Sequence, residues 1–523
     1  MWRFILWSIL FLFISEINCA RILGVFPVPS KSHQIVFQSY TKELAKRGHE
    51  LVIISPDPFP NDTRPANVTD IDVSFSYAFA AKMMGRKDGP LKRGVIMDAD
   101  VVINTAFYLE MIKIVVDQIN SPAVQSLIND KNQKFDLIVV EGFYDYQLIL
   151  SHIFKAPVIM FTSFMGFPEH HEMLGGIARH PILYPHLHRN NHDNLNLFQW
   201  ARELYYEYEM YNLFVTKLDK KQDDLLKENF GHDAPTVNEL RKNVDMLFLN
   251  SYAEFANNRP VPPNIIYLGA VQLQPRKEIP KDLKTYLDNS KRGVIYVSFG
   301  SNVLPTRMSK DLLDEILQAL KRLPYDILWK FDGDSLDNMP KNVRYQKWFP
   351  QRDLLFHPNI KAFVTQCGLQ STDEAIDAEV PLIGIPMMAE QGYNAKKYVD
   401  FGIGVKLDAM TFTAEDLVRG VRAVVENKSY KQNVIRLKKI LQDQSQSPLE
   451  RAVWWTEYVV RHSGATHLRN PGAGMSWHKY YMLDVVLPLL AIFVTALVPV
   501  VAVLWCACKS VVGLLRNKKV KRS

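Results

Sequence analysis

Between Ala362 and Gln391 the chain reads AFVTQCGLQSTDEAIDAEVPLIGIPMMAEQ: a buried strand, a short turn with Gly368, a helix start at Ser371, another strand and a second polar turn. A helix terminus offers unpaired backbone N–H groups and the positive end of its dipole, so this turn suits an anion such as a diphosphate. Ser371 and Glu374 have capping-box spacing, and on spacing alone finishing the helix is the simpler role for them. A second reactive group stands far upstream. His33 follows the first apolar run and opens the first helical pattern, which places it at the carboxyl edge of a parallel sheet. There a histidine can take a proton from a hydroxyl, and a nearby helix N-terminus keeps it in its neutral, basic form. From the residues alone a surface or capping histidine fits as well. Glu141, ending the run FDLIVVE, is the carboxylate placed to orient His33, with Asp145 as the alternative and a solvated loop acid as the plain reading of either.

The elements that must position these groups alternate. ILGVFPV (22–28) is a strand, Val36, Tyr40 and Leu44 mark one face of a helix ended by Gly48, and ELVIISP returns as a strand. FDLIVVEG (135–142) and APVIMFTS (156–163) continue that sheet, whereas 165–235 is less regular, rich in histidine and aromatics, and expected to supply loops and helices over the acceptor side, with the residues that line its pocket. After RPVPPN (259–264) and the polar segment Gln272–Pro280 a second series begins: GVIYVSFGS (293–301), a helix over Ser309–Leu323, DILWKF (326–331), then KAFVT, PLIGIP and IGVKL. Strand and helix in alternation predict two doubly wound α/β domains, with ligands at the carboxyl ends of their strands.

The segment 362–391 closely resembles the signature of the animal uridine diphosphate glycosyltransferases, most of all their insect branch, and the similarity runs over nearly the whole chain. FGS (299–301) and KWFPQRDLL (347–355) stand where that family has them. The resemblance implies a GT-B-type fold, two Rossmann-like domains facing a cleft, with acceptor bound by 21–270 and UDP-sugar by 271–465. It implies that Trp348 stacks on uracil, Gln351 bonds its edge and Glu374 takes the ribose hydroxyls. Ser301, Gly368, Gln370 and Ser371 would hold the diphosphate, and Glu390 with Gln391 the sugar. Gln366 stands where most of the family has histidine; it can donate a hydrogen bond to the departing phosphate but adds no positive charge. Cys367 replaces a usual glycine, and Glu390 a more frequent aspartate. By resemblance His33 is the catalytic base, and Glu141 holds the position of a more frequent aspartate. The implied reaction is inverting transfer of glucose, rather than glucuronic acid, from UDP-glucose to a hydroxyl of a small lipophilic acceptor: a phenolic, flavonoid, steroid or xenobiotic. UDP-glucose is a co-substrate, and no cofactor or metal is implied. The alternatives are a glucuronosyl donor, or a non-catalytic homologue that binds ligands or a partner glycosyltransferase.

Composition bounds the partners. The formal charge is 62 basic minus 55 acidic residues, +7, and Lys509, Arg516, Lys518, Lys519, Lys521 and Arg522 supply six of those charges. The body is near neutral, which excludes nucleic acid as a partner. Residues 1–20 have the form of a secretory signal. Val485–Cys508 is uncharged and, at about 1.5 Å per residue, long enough to cross a bilayer. The basic tail 509–523 then faces the cytosol, and its Lys519 and Lys521 match a dilysine retrieval signal of the endoplasmic reticulum as well as a generic basic stop. This predicts a single-pass type I membrane protein with a lumenal body, whose only cysteine is Cys367 once Cys19 leaves with the signal. Asn61, Asn67 and Asn427 open glycosylation sequons. Oligomeric state, homo- or hetero-, stays open. Asp332-Gly333-Asp334 reads as a turn rather than a metal-binding pair, and the spacing of His170, His171, His180, His186, His188 and His192 fits no established zinc pattern. Neither a dinucleotide-binding glycine fingerprint nor a Walker loop is present.

Overall fold

The computed structural model describes residues 19–84, 93, 99–105, 107–176, 179–189, 194–334, 336 and 338–520. Residues 1–18 of the expected signal, His192, and residues 521–523 of the tail lie outside the described residues. The chain divides into two compact units, 1–469 and 470–523.

In the first unit, seven parallel strands form one sheet: β1 (Arg21–Val25), β2 (Glu50–Ser55), β3 (Val68–Asp72), β4 (Leu137–Glu141), β5 (Val158–Thr162), β6 (Val244–Leu249) and β7 (Ile265–Tyr267). Their order is β3-β2-β1-β4-β5-β6-β7. Parallel strands are covered on both faces, so they read as unbroken apolar runs. In β1, Leu23 and Val25 enter one core while Ile22 enters the opposite one, as alternation along a strand requires. Helix α1 (Lys31–Lys46) crosses from β1 to β2 and buries Val36, Phe37, Tyr40 and Leu44. Within the less regular stretch 165–235, where loops and helices are expected, α2 (Leu197–Tyr211) opens a helical run that continues without a break through Asn212–Leu218 and Asp219–Phe230. Its pattern escapes apolar periodicity because its buried face carries Glu203 and Glu207.

Six parallel strands form the second sheet: β8 (Val294–Ser298), β9 (Asp326–Lys330), β10 (Val343–Gln346), β11 (Ile360–Thr365), β12 (Leu382–Gly384) and β13 (Gly404–Lys406), in the order β10-β9-β8-β11-β12-β13. The expected helix over 309–323 is α3 (Lys310–Arg322), with Leu312, Ile316 and Leu320 buried. The helix expected to start at Ser371 instead starts earlier, as α4 (Leu369–Asp377), with Gly368 at its N-cap and no side-chain cap. Ser371 is therefore inside the helix, and the capping box with Glu374 does not form. The two doubly wound sheets give a GT-B architecture.

Each sheet reverses its strand order once, between β1 and β4 and between β8 and β11. At such a switch point neighbouring loops leave in opposite directions and open a crevice. His33 and Glu141 border the first crevice; Ser301, Gln366 and Gly368 border the second.

The last helix of the body, α5 (Pro448–Arg461), falls within the range 271–465 expected for the second domain, yet it packs on the first sheet's side. Ala452, Val453 and Val459 share a core with Val36, Tyr40 and Leu44, and the Tyr40 and Thr456 hydroxyls are 2.6 Å apart. In the second unit, α6 (Leu483–Val520) includes a stretch, Leu483–Gly513, long and apolar enough to cross a membrane, with mean hydropathy 2.7. Pro488 and Pro499 lie inside it.

If α5 is anchored as described, Tyr40→Phe removes a buried hydrogen bond and should destabilise the protein by about 1 kcal/mol, seen as a lower urea midpoint; an unchanged midpoint would show that the bond contributes nothing.

Candidate functional site

The β1/β4 switch point brings His33, in the first turn of α1, beside Glu141, the last residue of β4. Nδ1 of His33 is 2.6 Å from Oε1 of Glu141, while Oε2 accepts from the Val28 N–H at 3.1 Å. The Glu141 side chain is 1% exposed, so its charge has to be compensated by such partners. A carboxylate only accepts, so Nδ1 carries the hydrogen and Nε2 keeps a lone pair. Nε2 makes no hydrogen bond among the described residues, and the imidazole lines a cleft. Ser163, which no sequence motif marks, places its hydroxyl 2.9 Å from the same Nδ1. Asp145, the alternative acid, is held by Arg241, with Nε donating to Oδ2 at 2.8 Å. The pair His33–Glu141 has the form of a base with an orienting acid.

The cleft encloses about 700 Å³ of space, part of it open to solvent, enough for a small organic molecule. Tyr108, Met111, Phe143, Phe164, Phe167 and Met388 supply most of its apolar wall. Only Phe167 and Leu187 come from the stretch 165–235 expected to line it; the others lie on 28–33, at Ala80, on 107–111, on the loops after β4 and β5, at Asn302 and on 388–390. The histidines behind the wall are packing groups. His186 and His188 stack with ring centroids 5.2 Å apart, and His188 Nε2 meets the Tyr108 hydroxyl at 2.9 Å. Burial holds His186 down to about 3, so it is neutral. No group of three or more His, Cys, Asp or Glu among the described residues is arranged to hold a metal ion.

The second crevice is built from turns after β8 and β11. Gly300 has φ +73°, a conformation that favours glycine, and a Cβ there would sit 2.2 Å from Gln366 Nε2, so any side chain would have to displace Gln366. Gln366 is buried, and its Oε1 has no hydrogen-bond partner among the described residues. Cys367 adopts φ +70°, a left-handed conformation that glycine takes without strain. Its buried sulfur fills the space a side chain at Gly384 would need, 2.6 Å from such a Cβ. Gly368 then opens α4, whose N-terminus carries no side-chain cap, and Ser301 lies half-buried in the turn after β8.

Trp348 is 65% exposed whereas its neighbour Phe349 is 1% exposed; Phe349 is the core aromatic and Trp348 is left with a free face. The Lys330 ammonium lies 4.5 Å from that ring's centroid and donates to the Gly300 carbonyl at 2.7 Å. Sequence reading missed Lys330, which sits at the end of an ordinary strand. Burial lowers its pKa, with Asp332 opposing. The Gln351 amide donates to Ser371 Oγ at 3.0 Å and to Glu374 Oε2 at 2.8 Å, so these three expected donor residues do converge. Burial raises the Glu374 carboxyl to about 6, against the pull of Gln351.

Three expected donor residues have other partners. Gln370 donates to the Ser163 carbonyl at 2.8 Å. Gln391 accepts from the Met387 and Met388 N–H groups, both at 2.9 Å. Glu390 lines the cleft; burial raises its pKa, and the His33 ring and the Leu369 N–H oppose that rise. Asp332 accepts from the Thr306 N–H at 3.1 Å, and Gly333 and Asp334 lie in a bend.

Residues 22–520 match the family model described as UDP-glucoronosyl and UDP-glucosyl transferase. The chain is 42% identical over 484 residues to the ecdysteroid UDP-glucosyltransferase of Lymantria dispar multicapsid nuclear polyhedrosis virus, covering 91% of this chain and 94% of that one. It is 31% identical over 494 residues to UDP-glucosyltransferase 2 of Dactylopius coccus, covering 94% of each. Among solved structures, a Polygonum tinctorium UDP-glucosyltransferase in complex with 3,4-dichloroaniline is similar, with a TM-score of 0.57 at 17% identity over 85% of this chain and 99% of that chain. The calicheamicin glycosyltransferase gives 0.55 at 17% identity, over 85% and 99%.

The raised Glu374 carboxyl makes a pH test. Charged above about 6 and neutral below it, the group loses acceptor strength as pH falls. Affinity for UDP-glucose, measured by calorimetry, should weaken by up to about tenfold per pH unit below that point, and Glu374→Gln should bind weakly with no such slope. A flat profile in the unaltered protein would place Glu374 outside the donor contacts.

Proposed function

The chain belongs to the UDP-glucoronosyl and UDP-glucosyl transferase family, and from that premise we propose that it transfers glucose from UDP-glucose to a hydroxyl of a lipophilic, steroid-like acceptor, with inversion. The observation that carries the reading is the 2.6 Å contact of His33 with the buried Glu141 at the edge of an apolar cleft. The acceptor hydroxyl loses its proton to Nε2 of His33 as its oxygen attacks the anomeric carbon from the face opposite the diphosphate. The bond from that carbon to the diphosphate oxygen breaks, the electron pair leaves with UDP, and an α-linked donor yields a β-glycoside. Glu141 stabilises the imidazolium that forms and keeps the ring in the productive tautomer. On the donor side, Trp348 offers its exposed face to uracil, Glu374 its carboxylate to ribose, and the α4 terminus with Gln366 meets the diphosphate.

Two further observations support details of this reading. Glu390 brings an acidic rather than a basic side chain to the cleft beside His33, so that position offers no cation to pair with the acid group of a glucuronosyl donor, which leaves glucose favoured. The aromatic wall and the relatives named for ecdysteroids favour a polycyclic acceptor. The test is turnover by the full membrane-bound chain against ecdysteroids, phenols and flavonoids, with UDP-glucose or UDP-glucuronate and a metal chelator present. Product is expected with UDP-glucose, and His33→Ala should lower kcat by about 10²–10⁴-fold with UDP-glucose binding intact. Absence of product with either donor, despite demonstrated donor binding, would favour a ligand-binding homologue.

The body is proposed to lie on the lumenal side of the endoplasmic reticulum membrane. Asn61 is exposed in a turn, whereas the Asn67 amide donates to the Ala45 and His49 carbonyls at 2.8 and 2.7 Å and has no hydrogen to give up. Lumenal placement therefore predicts a glycan at Asn61 and none at Asn67. Asn61→Gln should reduce a glycosidase-sensitive mobility shift by one glycan, leaving any contribution of the exposed Asn427, whereas Asn67→Gln should leave the shift unchanged, and absence of any glycan at Asn61 would count against this placement.

A further inference from the structure

Helix α2 carries its polarity reversed. Its carboxylates face the protein, where Glu203 accepts from Arg189 Nε at 2.8 Å and Glu207 from Arg179 Nη1 at 3.3 Å. Tyr206 and Met210 are buried on the same side. The opposite side exposes Leu197 (81%), Phe198 (85%), Trp200, Leu204, Tyr205 and Tyr208 (64%). Residues 197, 201, 204 and 208 share one stripe of a helix, with 198 and 205 beside it. Among the fully exposed residues of α2 the only charge is Arg202, and Glu209 is half-buried. A monomer in water gains nothing from holding such a face outward, and contiguous apolar surface of this kind marks a contact with something other than water.

The chemistry of the face indicates what covers it. Trp and Tyr among Leu and Phe, with Arg202 on the helix and Lys217 and Lys220 exposed just beyond it, is the composition of a helix lying at a lipid headgroup layer. The chain also supplies the lipid. A stretch long and apolar enough to cross a bilayer begins at Leu483, and the segment 470–482 that precedes it can span at most about 45 Å when extended. The membrane that such a stretch would cross is one to which the first unit is covalently tethered. We propose that the outer face of α2 lies in the interfacial layer of a lipid bilayer, parallel to its plane. Phe214, further along the same helical run, packs on Tyr108 of the cleft wall at 4.7 Å, so the bilayer-facing segment and the acceptor cleft share a wall.

The test uses the full chain carrying Cys19→Ser, Cys506→Ser and Cys508→Ser, reconstituted in vesicles of phosphatidylcholine and phosphatidylserine. Nitroxide labels are placed singly through Phe198→Cys, Tyr205→Cys and, as a water-exposed reference, Arg419→Cys; retained UDP-glucose binding shows that each labelled chain is folded. Power saturation should find the labels at 198 and 205 several-fold less accessible to a water-soluble nickel chelate than the label at 419, and readily accessible to oxygen. Nickel access equal to that at 419 overturns the proposal. Low access to both reagents also overturns it, and spectral broadening that vanishes on dilution with unlabelled chain would identify a second copy as the occupant.

Discussion

A carboxylate as deeply buried as Glu141 has to be held on both oxygens, and the segments around it are placed to do so. One oxygen takes the Val28 N–H, from the turn that leaves β1, and the other takes His33, from the helix that follows. The turn after β1 is thereby fastened to the end of β4, its neighbour in the sheet. The next residue has no freedom either, because a Cβ on Gly142 would meet Thr162 Cγ2 at 2.6 Å. Unpaired, the buried charge would cost several kcal/mol. The orientation of the imidazole is therefore a by-product of satisfying Glu141, and Nε2 is left as its free acceptor.

The second crevice solves a different electrostatic problem. With glutamine at 366 the turn after β11 carries no cationic side chain, so two positive features remain near it: the α4 terminus and the Lys330 ammonium on the Gly300 carbonyl. Lys330 is held between that carbonyl and the face of Trp348, both of which prefer a cation, and burial works against its charge. The glycine at 300 and the left-handed backbone at Cys367 bring the two turns close enough for Gln366 to lie directly over Gly300.

Much of this was legible in the sequence, for reasons that also mark its limits. β1, β2, β4, β5, β8 and β11 read as strands because both their faces are buried. β3, β7 and β10 were not read: they sit at sheet edges and are partly exposed along their length. β6 is fully buried, and its apolar run VDMLFL carries the same strand signal as β4 and β5. His33 and Glu141 stood out because strand ends at a switch point are where chemistry collects. Ser163 and Lys330 did not, since each acts through geometry that brings distant segments together. The donor motif identified its region, but the partners of Gln370 and Gln391 depend on loops that no spacing encodes. α2 defeats pattern reading outright, because the amphipathic rule assumes water outside and its ion pairs lie inside.

The contacts between the halves show why the two crevices act as one site. An apolar cluster runs continuously from residues of the first sheet, such as Leu23 and Val140, to residues of the second, such as Tyr296 and Phe363. Apolar contact is tolerant of small shifts, whereas hydrogen bonds are not, and polar links cross at defined points, among them Asn302 to Ser30 at 3.2 Å, Gln272, on the segment after β7, to Asp373 at 2.8 Å and Gln370 to the Ser163 carbonyl at 2.8 Å. Burial pushes Asp373 up to about 8, so its carboxyl is largely neutral near pH 7 and the second link adds no buried charge. The third link ends on the residue whose hydroxyl touches His33. A displacement of the α4 terminus is therefore felt at the base through one residue, and the halves must be in register for the base and the donor-side turn to serve the same substrate pair.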